Sequence, residues 1–416
     1  MWPNEFLSAL ICLLINVQIM YIVKKFFKSI FSIITTLTIA VSCVSCSDKS
    51  NASIEGIPVQ LEDEKAWSIV SPDGEILVKN AFEASPSFVY NGRFVVYEKD
   101  GFYVYDINNP NRALNQEPFA QLTDYFNGKA FGVRKGAGIC IVDTDGNVVK
   151  TLDNSIVAIS NEGVGDADMV VYSNDQGLSG YINLDGDIVI PAKWADAMPF
   201  SEKLAVVYNG NKYMCIDANE QIVFTLKDDE TPGYAMFVDG WLAVNKDDCG
   251  RFVNHKGETV LKLPSNTMAY MRVGERVITH NKDGWQLLVA EEDGAKILKG
   301  YEDIMPMGSD GDYFVVKKHS NSNYNIVNAN GEDICSQDFK TVFTPLIRYG
   351  FIIGGDEKPF NLFDCNGKSV NVKLDIDCAS DNRYKYILPQ RRAEGLVYDA
   401  FGLVLEDTTE ILEYQD

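Results

Sequence analysis

The sequence predicts an all-β protein built from repeats of about 36 residues, each supplying three to four strands, that close into a β-propeller. Three observations predict it. A turn phrase recurs ten times at near-constant spacing, apolar runs of strand length flank the copies, and the stretches between copies leave no room for helices. The phrase reads Asp or Asn, any residue, Asp or Asn, then Gly, and is most regular at 143–146, 183–186, 328–331 and 364–367. Looser copies lie at 71–74, 106–109, 217–220, 254–257, 291–294 and 399–402, and the last positions of successive copies are 34 to 40 residues apart.

Asn, Asp and Gly accept the positive φ angles that join antiparallel strands tightly, so each phrase is read as a β-hairpin. A third strand follows in each unit, at 94–97, 204–208, 241–244, 276–279, 313–316 and 386–388, and segments such as 197–200 add a fourth. The ends of the repeat region bear on closure. Residues 57–61 form a strand with no hairpin of their own, and the last hairpin, 396–412, has no third strand after it. If the leading strand completes the final blade, the ring closes and no sheet edge is left open. The alternative, an open β-solenoid-like array, needs polar caps at both ends.

Seven residues before the end of the phrase the units tend to place an aromatic: Trp67, Phe102, Tyr213, Tyr324 and Phe360, with Trp285 displaced by two. Repeats bury their faces against neighbours, so these are read as packing residues rather than a ligand platform.

Ahead of the repeats stands an export signal. Lys24, Lys25 and Lys28 form a positive region, 30–41 an apolar one, and Ser42, Cys43, Val44 and Ser45 place small residues before Cys46. The chain then turns polar at 47–51, as a tether does. An uncleaved membrane helix is disfavoured, because the run 31–46 is short of the roughly 20 residues a span needs and is diluted by Ser32, Thr35, Thr36 and Thr38. Residues 1–19 carry an apolar run in front of the lysines, so Met20 is the more natural start and 1–19 is read as a mis-called N-terminal extension. The organisation expected is therefore signal peptide at 20–45, tether at 46–56 and β-repeat domain at 57–416.

The small residue before a cysteine resembles the lipobox of bacterial lipoproteins, those of Bacteroidota included. The resemblance implies that Cys46 is diacylated and becomes the first residue, anchoring the protein to the outer membrane of a Gram-negative bacterium, on its periplasmic or cell-surface face. Lipoboxes favour Leu three residues earlier; Cys46 has Cys43 there, and Cys43, the competing site, has Ala40.

Beyond the signal the chain holds 34 basic and 58 acidic residues, a net charge of −24. Such a surface repels nucleic acid, which is not expected as a partner. Six cysteines follow the anchor, Cys140, Cys215, Cys249, Cys335, Cys365 and Cys378. Export permits disulfides, yet no two make a C-x-x-C pair and a core this large needs no staples, so most are read as buried free thiols. His255, His280 and His319 show no ligand spacing for zinc. Each turn phrase supplies too few oxygens for the six to eight that calcium takes. No metal or cofactor is expected. Gly177, Ser179 and Gly180 do not make a G-x-S-x-G elbow, and no catalytic residue can be nominated.

One unit carries more specific text. Gly180, Tyr181, Ile182 and Asn183 lead through Gly186 to Val189, Ile190 and Pro191, and then to Phe200, Ser201, Glu202, Leu204 and Ala205. This resembles the WG repeat of bacterial exported and surface proteins, with Ser179 in place of the name-giving Trp, Asn183 for Asp, Trp194 for Tyr and Lys203 for Gly. The resemblance is close over about 30 residues and degenerate elsewhere. It implies a β-repeat binding or scaffold module and supplies no catalytic residues. The function expected is thus a lipid-anchored, non-catalytic envelope protein that binds a protein or glycan. A carbohydrate-active enzyme (glycosidase or lyase) on a propeller, or a purely structural scaffold, are the alternatives.

Overall fold

The computed structural model describes residues 54–374, apart from 124, 126, 135–136, 161–167, 292–293 and 344–346. Among the described residues every regular element is a strand except one 3-10 turn at Ile347–Tyr349, and no helix is long and apolar enough to cross a membrane. The strands form nine consecutive antiparallel units, at 57–82, 93–106, 121–151, 156–194, 196–225, 231–262, 267–301, 303–328 and 341–374. Six units have four strands, the first and eighth have three and the second has two. Units six and seven share one sheet through a parallel contact of Cys249 with Thr267.

In seven of the nine units the turn phrase joins the last two strands. At 106–109 and 328–331 no strand follows it, so these two copies are not the hairpins the sequence predicts. The chemistry of the phrase is divided. Asp143 Oδ1 accepts the amides of Asp145 (2.9 Å) and Asn147 (2.8 Å), and Asn183 Oδ1 those of Asp185 (3.0 Å) and Asp187 (2.8 Å). Asp217, Asn254, Asn328 and Asp364 repeat both bonds. Positive φ within the phrase falls only on its closing position, from 69° at Gly367 to 87° at Gly74 in six copies and 146° at Gly294, with Glu220 taking 66° where unit five lacks the glycine. The first Asp or Asn is therefore selected as an acceptor that holds the turn, not for positive φ as the sequence reading supposed. The register slips by one residue beyond the turn, between the Tyr181 and Ile182 pairs in unit four, which is a bulge closed by a left-handed residue.

The strand that follows each hairpin pairs forward. Leu204–Tyr208 bonds to Tyr213–Asp217, so the hydrogen-bonded unit begins one hairpin later than the sequence period suggested.

Each unit buries one face on the next. Trp67, Ile69 and Phe82 meet Phe94, Val96 and Tyr105 between units one and two, and Tyr181 and Trp194 meet Phe200 and Val207 between four and five. A separate apolar cluster fills every such interface through to the ninth unit. A further cluster joins Ile353, Phe360, Leu362 and Leu374 of the ninth unit to Ile57, Val59 and Val70 of the first. Nine interfaces for nine units make a closed ring, a β-propeller; an open array has one fewer interface than it has units. A bridge between Leu61 and Leu374 and the bond from the Glu62 amide to the Lys373 carbonyl (2.9 Å) tie the seam. Closure is not made by the leading strand completing the last blade, because Ile57–Val59 pairs with Trp67–Val70 inside unit one. The tenth phrase, at 399–402, and the strand expected at 386–388 lie outside the described residues.

The aromatics seven residues before the turn are packing residues. Trp67 and Phe360 are buried, and Phe102, Tyr213, Tyr324 and Trp285 lie against interface clusters. Tyr97 with Phe102 and Tyr208 with Tyr213 are also cross-strand pairs, at 5.1 and 4.7 Å between ring centres.

Units two and eight lack an outer strand, and an asparagine side chain ties the last strand to the segment that runs in its place. Asn115 Oδ1 accepts the Val104 amide at 2.7 Å. Asn325, 1% exposed, donates to the Cys335 carbonyl (3.1 Å) and to Asp338 (2.7 Å). Lys318 reaches both Asp333 and Asp338 at 2.6 Å. The Asn325 amide and then Lys318 pull the Asp338 carboxyl down to about 2. A carboxyl lowered on folding contributes stability above its unfolded value near 4, lost as pH falls through the folded value. We expect acid unfolding curves to show a loss of about 1 kcal/mol between roughly pH 4 and 2, allowing for screening of a partly exposed group. Asp338→Asn should flatten that step; an unchanged step would assign it to other carboxyls.

Nearly all the exposed large aliphatics lie on the last, outermost strands, among them Ile76, Val149, Ile188, Ile222, Val260 and Ile297. Lys79, Lys150, Lys193, Lys262 and Lys296 share those strands, the usual protection of an open edge.

Candidate functional site

The turn phrase of one unit sits beside the strand that opens the hairpin of the unit before it, and polar clamps join the two. Arg93 of unit two donates to the Thr144 carbonyl (2.5 Å) and pairs with Asp145 (3.6 Å). Lys129 pairs with Asp185, Arg276 reaches the Ala329 carbonyl (2.5 Å) and Asn330 (3.2 Å), and Tyr313 donates to Asn366 (2.8 Å). Between units five and six the clamp is Glu202 with His255, whose Nε2 lies 2.6 Å from Glu202 Oε2.

Glu202 belongs to a tight turn, 201–204, whose ends Ser201 and Leu204 are bridged. Its two central residues, Glu202 (φ 53°) and Lys203 (φ 67°), are both left-handed. The comparable turns place glycine second: Asn91–Gly92, Asn127–Gly128 and Asp239–Gly240. A second set of bonds runs between these turns. The Gly240 amide donates to both Glu202 oxygens (3.0 and 2.9 Å), the Gly274 amide to Asp239 (2.6 Å), and the Gly92 amide to Glu55 (2.8 Å).

Where units five, six and seven meet, these turns enclose an open cleft of about 690 Å³ lined by Glu202, Lys203, Asp239, His255, Arg272 and Glu275, with Gly240 and Gly274. His255 packs on Phe237 at 4.9 Å between ring centres with the rings tilted by 47°, and the Arg272 guanidinium lies over Trp241 at 4.4 Å. Arg272 also donates to the Gly274 carbonyl (2.9 Å) and to Glu275 (3.3 Å). The arrangement suits recognition by charge and hydrogen bonds. Its carboxylates are tied as acceptors for amides, for His255 or for Arg272, and no Phe, Tyr or Trp is among its described lining residues.

Of the histidines weighed in the sequence only His255 belongs to this cleft, and Glu202 and Lys203, read there only as WG-repeat text, line it as well. His280 ends a strand of unit seven and packs on Trp285 (4.9 Å), and His319 lies in the loop after Tyr313–Lys317. Among the described residues no three His, Cys, Asp or Glu side chains group as metal ligands. Cys140 and Cys215 are buried thiols, and burial pushes Cys140 up to about 11 and Cys215 further. Cys335 and Cys365 are half-buried and Cys249 is exposed. Cys46, Cys43 and Cys378 lie outside the described residues. The sequence reading missed Glu202, Asp239 and Arg272 as site residues, although an acid beside a turn glycine at 239–240 was a visible signal.

Residues 180–213 match the family described as WG containing repeat, so this segment is a WG repeat. No curated protein sequence matches the chain. Among solved structures, one of a eukaryotic initiation factor is similar at 10% identity and a TM-score of 0.48, covering 78% of this chain and 96% of its own. BamB from Moraxella catarrhalis is 12% identical at a TM-score of 0.39 (70% and 97% covered), and the computationally designed Ika8 protein 11% identical at 0.42 (78% and 98%).

Proposed function

We propose that the protein is an exported, lipid-anchored binding protein, without catalytic activity, whose ring offers the cleft of units five to seven to a protein partner. The cleft carries this reading: it gathers charged side chains on a rigid frame of backbone-anchored turns, as a polar recognition surface requires. A described lining without an aromatic ring favours a protein over a glycan, since sugar rings stack on open aromatic faces. The signal layout before Cys46 supports export, and its resemblance to a lipobox supports acylation there and an anchor in the outer membrane of a Gram-negative bacterium.

Two measurements test this reading. Metabolic labelling with a lipid probe should mark the wild type and not Cys46→Ala; retained label on Cys46→Ala moves the anchor to Cys43. Peptide and glycan arrays probed with the full-length protein should return peptide ligands, with signal lost in His255→Ala. Signal indifferent to His255→Ala, or turnover of any polysaccharide, would sink the proposal.

A further inference from the structure

We propose a second binding site, independent of the cleft, at the turn 281–284 of unit seven, where Tyr270, His280, Trp285 and His319 form a patch that takes a neutral oligosaccharide.

The turn joins Arg276–Asn281 to Gly284–Glu291, and the first of these strands starts at its other end beside the cleft residue Glu275. Across the base of the turn His280 opposes Trp285, with the rings 4.9 Å apart and inclined by 67°. Tyr270, from the first strand of the unit, meets Trp285 at 4.9 Å and 80°, and Tyr234 of unit six meets Tyr270 at 6.1 Å. His319 arrives from unit eight: a Cβ added to Gly284 (φ 116°) would stand 3.1 Å from its imidazole. The fold thus brings two histidines from distant parts of the chain to one tryptophan.

Two features set this patch apart from the aromatics that only pack. Trp67 and Trp194 are buried and Trp241 lies under Arg272, whereas Trp285 packs against the cluster between units seven and eight and still stays half-exposed. Its polar atoms are also disengaged. The Trp285 indole N–H and the imidazole nitrogens of His280 and His319, both exposed, make no hydrogen bond or ion pair with any described residue. Glu302, whose charge His319 feels, already accepts from Lys317 (3.0 Å) and Ser322 (2.7 Å).

The groups left to meet a ligand are therefore aromatic surface, one indole donor and two imidazoles, each of which when neutral donates one bond and accepts one. A few placed polar groups on an aromatic surface are the usual make-up of a small-molecule site. A hexopyranose matches it, since its C–H face stacks on an indole and its hydroxyls both donate and accept. A carboxylate would use only the donors and an ammonium group only the acceptors. The two charges at the tip of the turn, Lys282 and Asp283, are of opposite sign and select neither.

The test titrates the full-length protein with neutral hexasaccharides of glucose and of N-acetylglucosamine, and with hexaproline, by ligand-observed NMR. At least one hexasaccharide should bind, weakly enough to be lost when an array is washed. Trp285→Ala should weaken that binding about tenfold, the worth of one aromatic stack. His280→Ala should weaken it about fivefold through one lost hydrogen bond, and His255→Ala, in the cleft, should leave it unchanged. Trp285 also packs, so Trp285→Phe serves where Trp285→Ala unfolds: it keeps the apolar surface, loses the indole donor and should cost about threefold. No saccharide bound, saccharide binding indifferent to both Trp285→Phe and His280→Ala, or hexaproline bound in preference would each overturn the proposal. The protein-binding reading of the cleft is judged separately, by His255→Ala on its peptide ligands.

Discussion

Glu230→Ala should lower the unfolding free energy by about 3 kcal/mol, read from the denaturant midpoint at constant m. Glu230 lies just ahead of the first strand of unit six, and its side chain is 6% exposed. Its carboxylate accepts from Arg251 Nε (3.1 Å), from Arg251 Nη2 (2.8 Å) and from the Lys227 amide (2.9 Å). Burial pushes the carboxyl up, but the Arg251 bonds and the Lys227 amide outweigh it and hold the group below its ordinary value. Truncation strands a guanidinium and an amide without their acceptor, and that loss exceeds the worth of the pair itself. Arg251 also reaches Thr259 (2.9 Å) and some solvent, which keeps the effect at the lower end for a buried pair. A loss below about 1 kcal/mol would show the pair to be solvated like a surface bridge.

Leu362→Ala, at the seam between the ninth and first units, should cost about 3 kcal/mol, as much as Leu242→Ala between units five and six. Both leucines are 0% exposed. In a closed ring the seam is one interface among equals. If Leu362→Ala costs much less than Leu242→Ala, the seam is loose and the units form an open array.

The parts of this fold that were legible in the sequence are those set by neighbours along the chain. The turn phrase is local chemistry, an acceptor at Asp143 holding amides two and four residues on, and it marked the hairpins in seven of the nine described units. Strand identity followed from the apolar runs it separates. The unit boundary was not legible, because a period is the same whichever strand begins it; only the pairing of Leu204–Tyr208 with Tyr213–Asp217 decides. Nor was the seam, where Val70 and Leu362 meet from opposite ends of the repeat region. The site was hidden for the same reason. His255 was visible as a turn residue, but its partner Glu202 lies 53 positions away, and nothing local connects Asp239 to the Gly274 amide.

Closure by side-chain packing also sets how this ring comes apart. A linear stack frays from its ends, since a terminal repeat gives up one neighbour while an inner repeat gives up two. Here the nine interfaces leave no terminal position, so every unit that melts must break two contacts at once. The ring should therefore hold or fail as a whole, and amide exchange in the first and ninth units should be as slow as in the fifth.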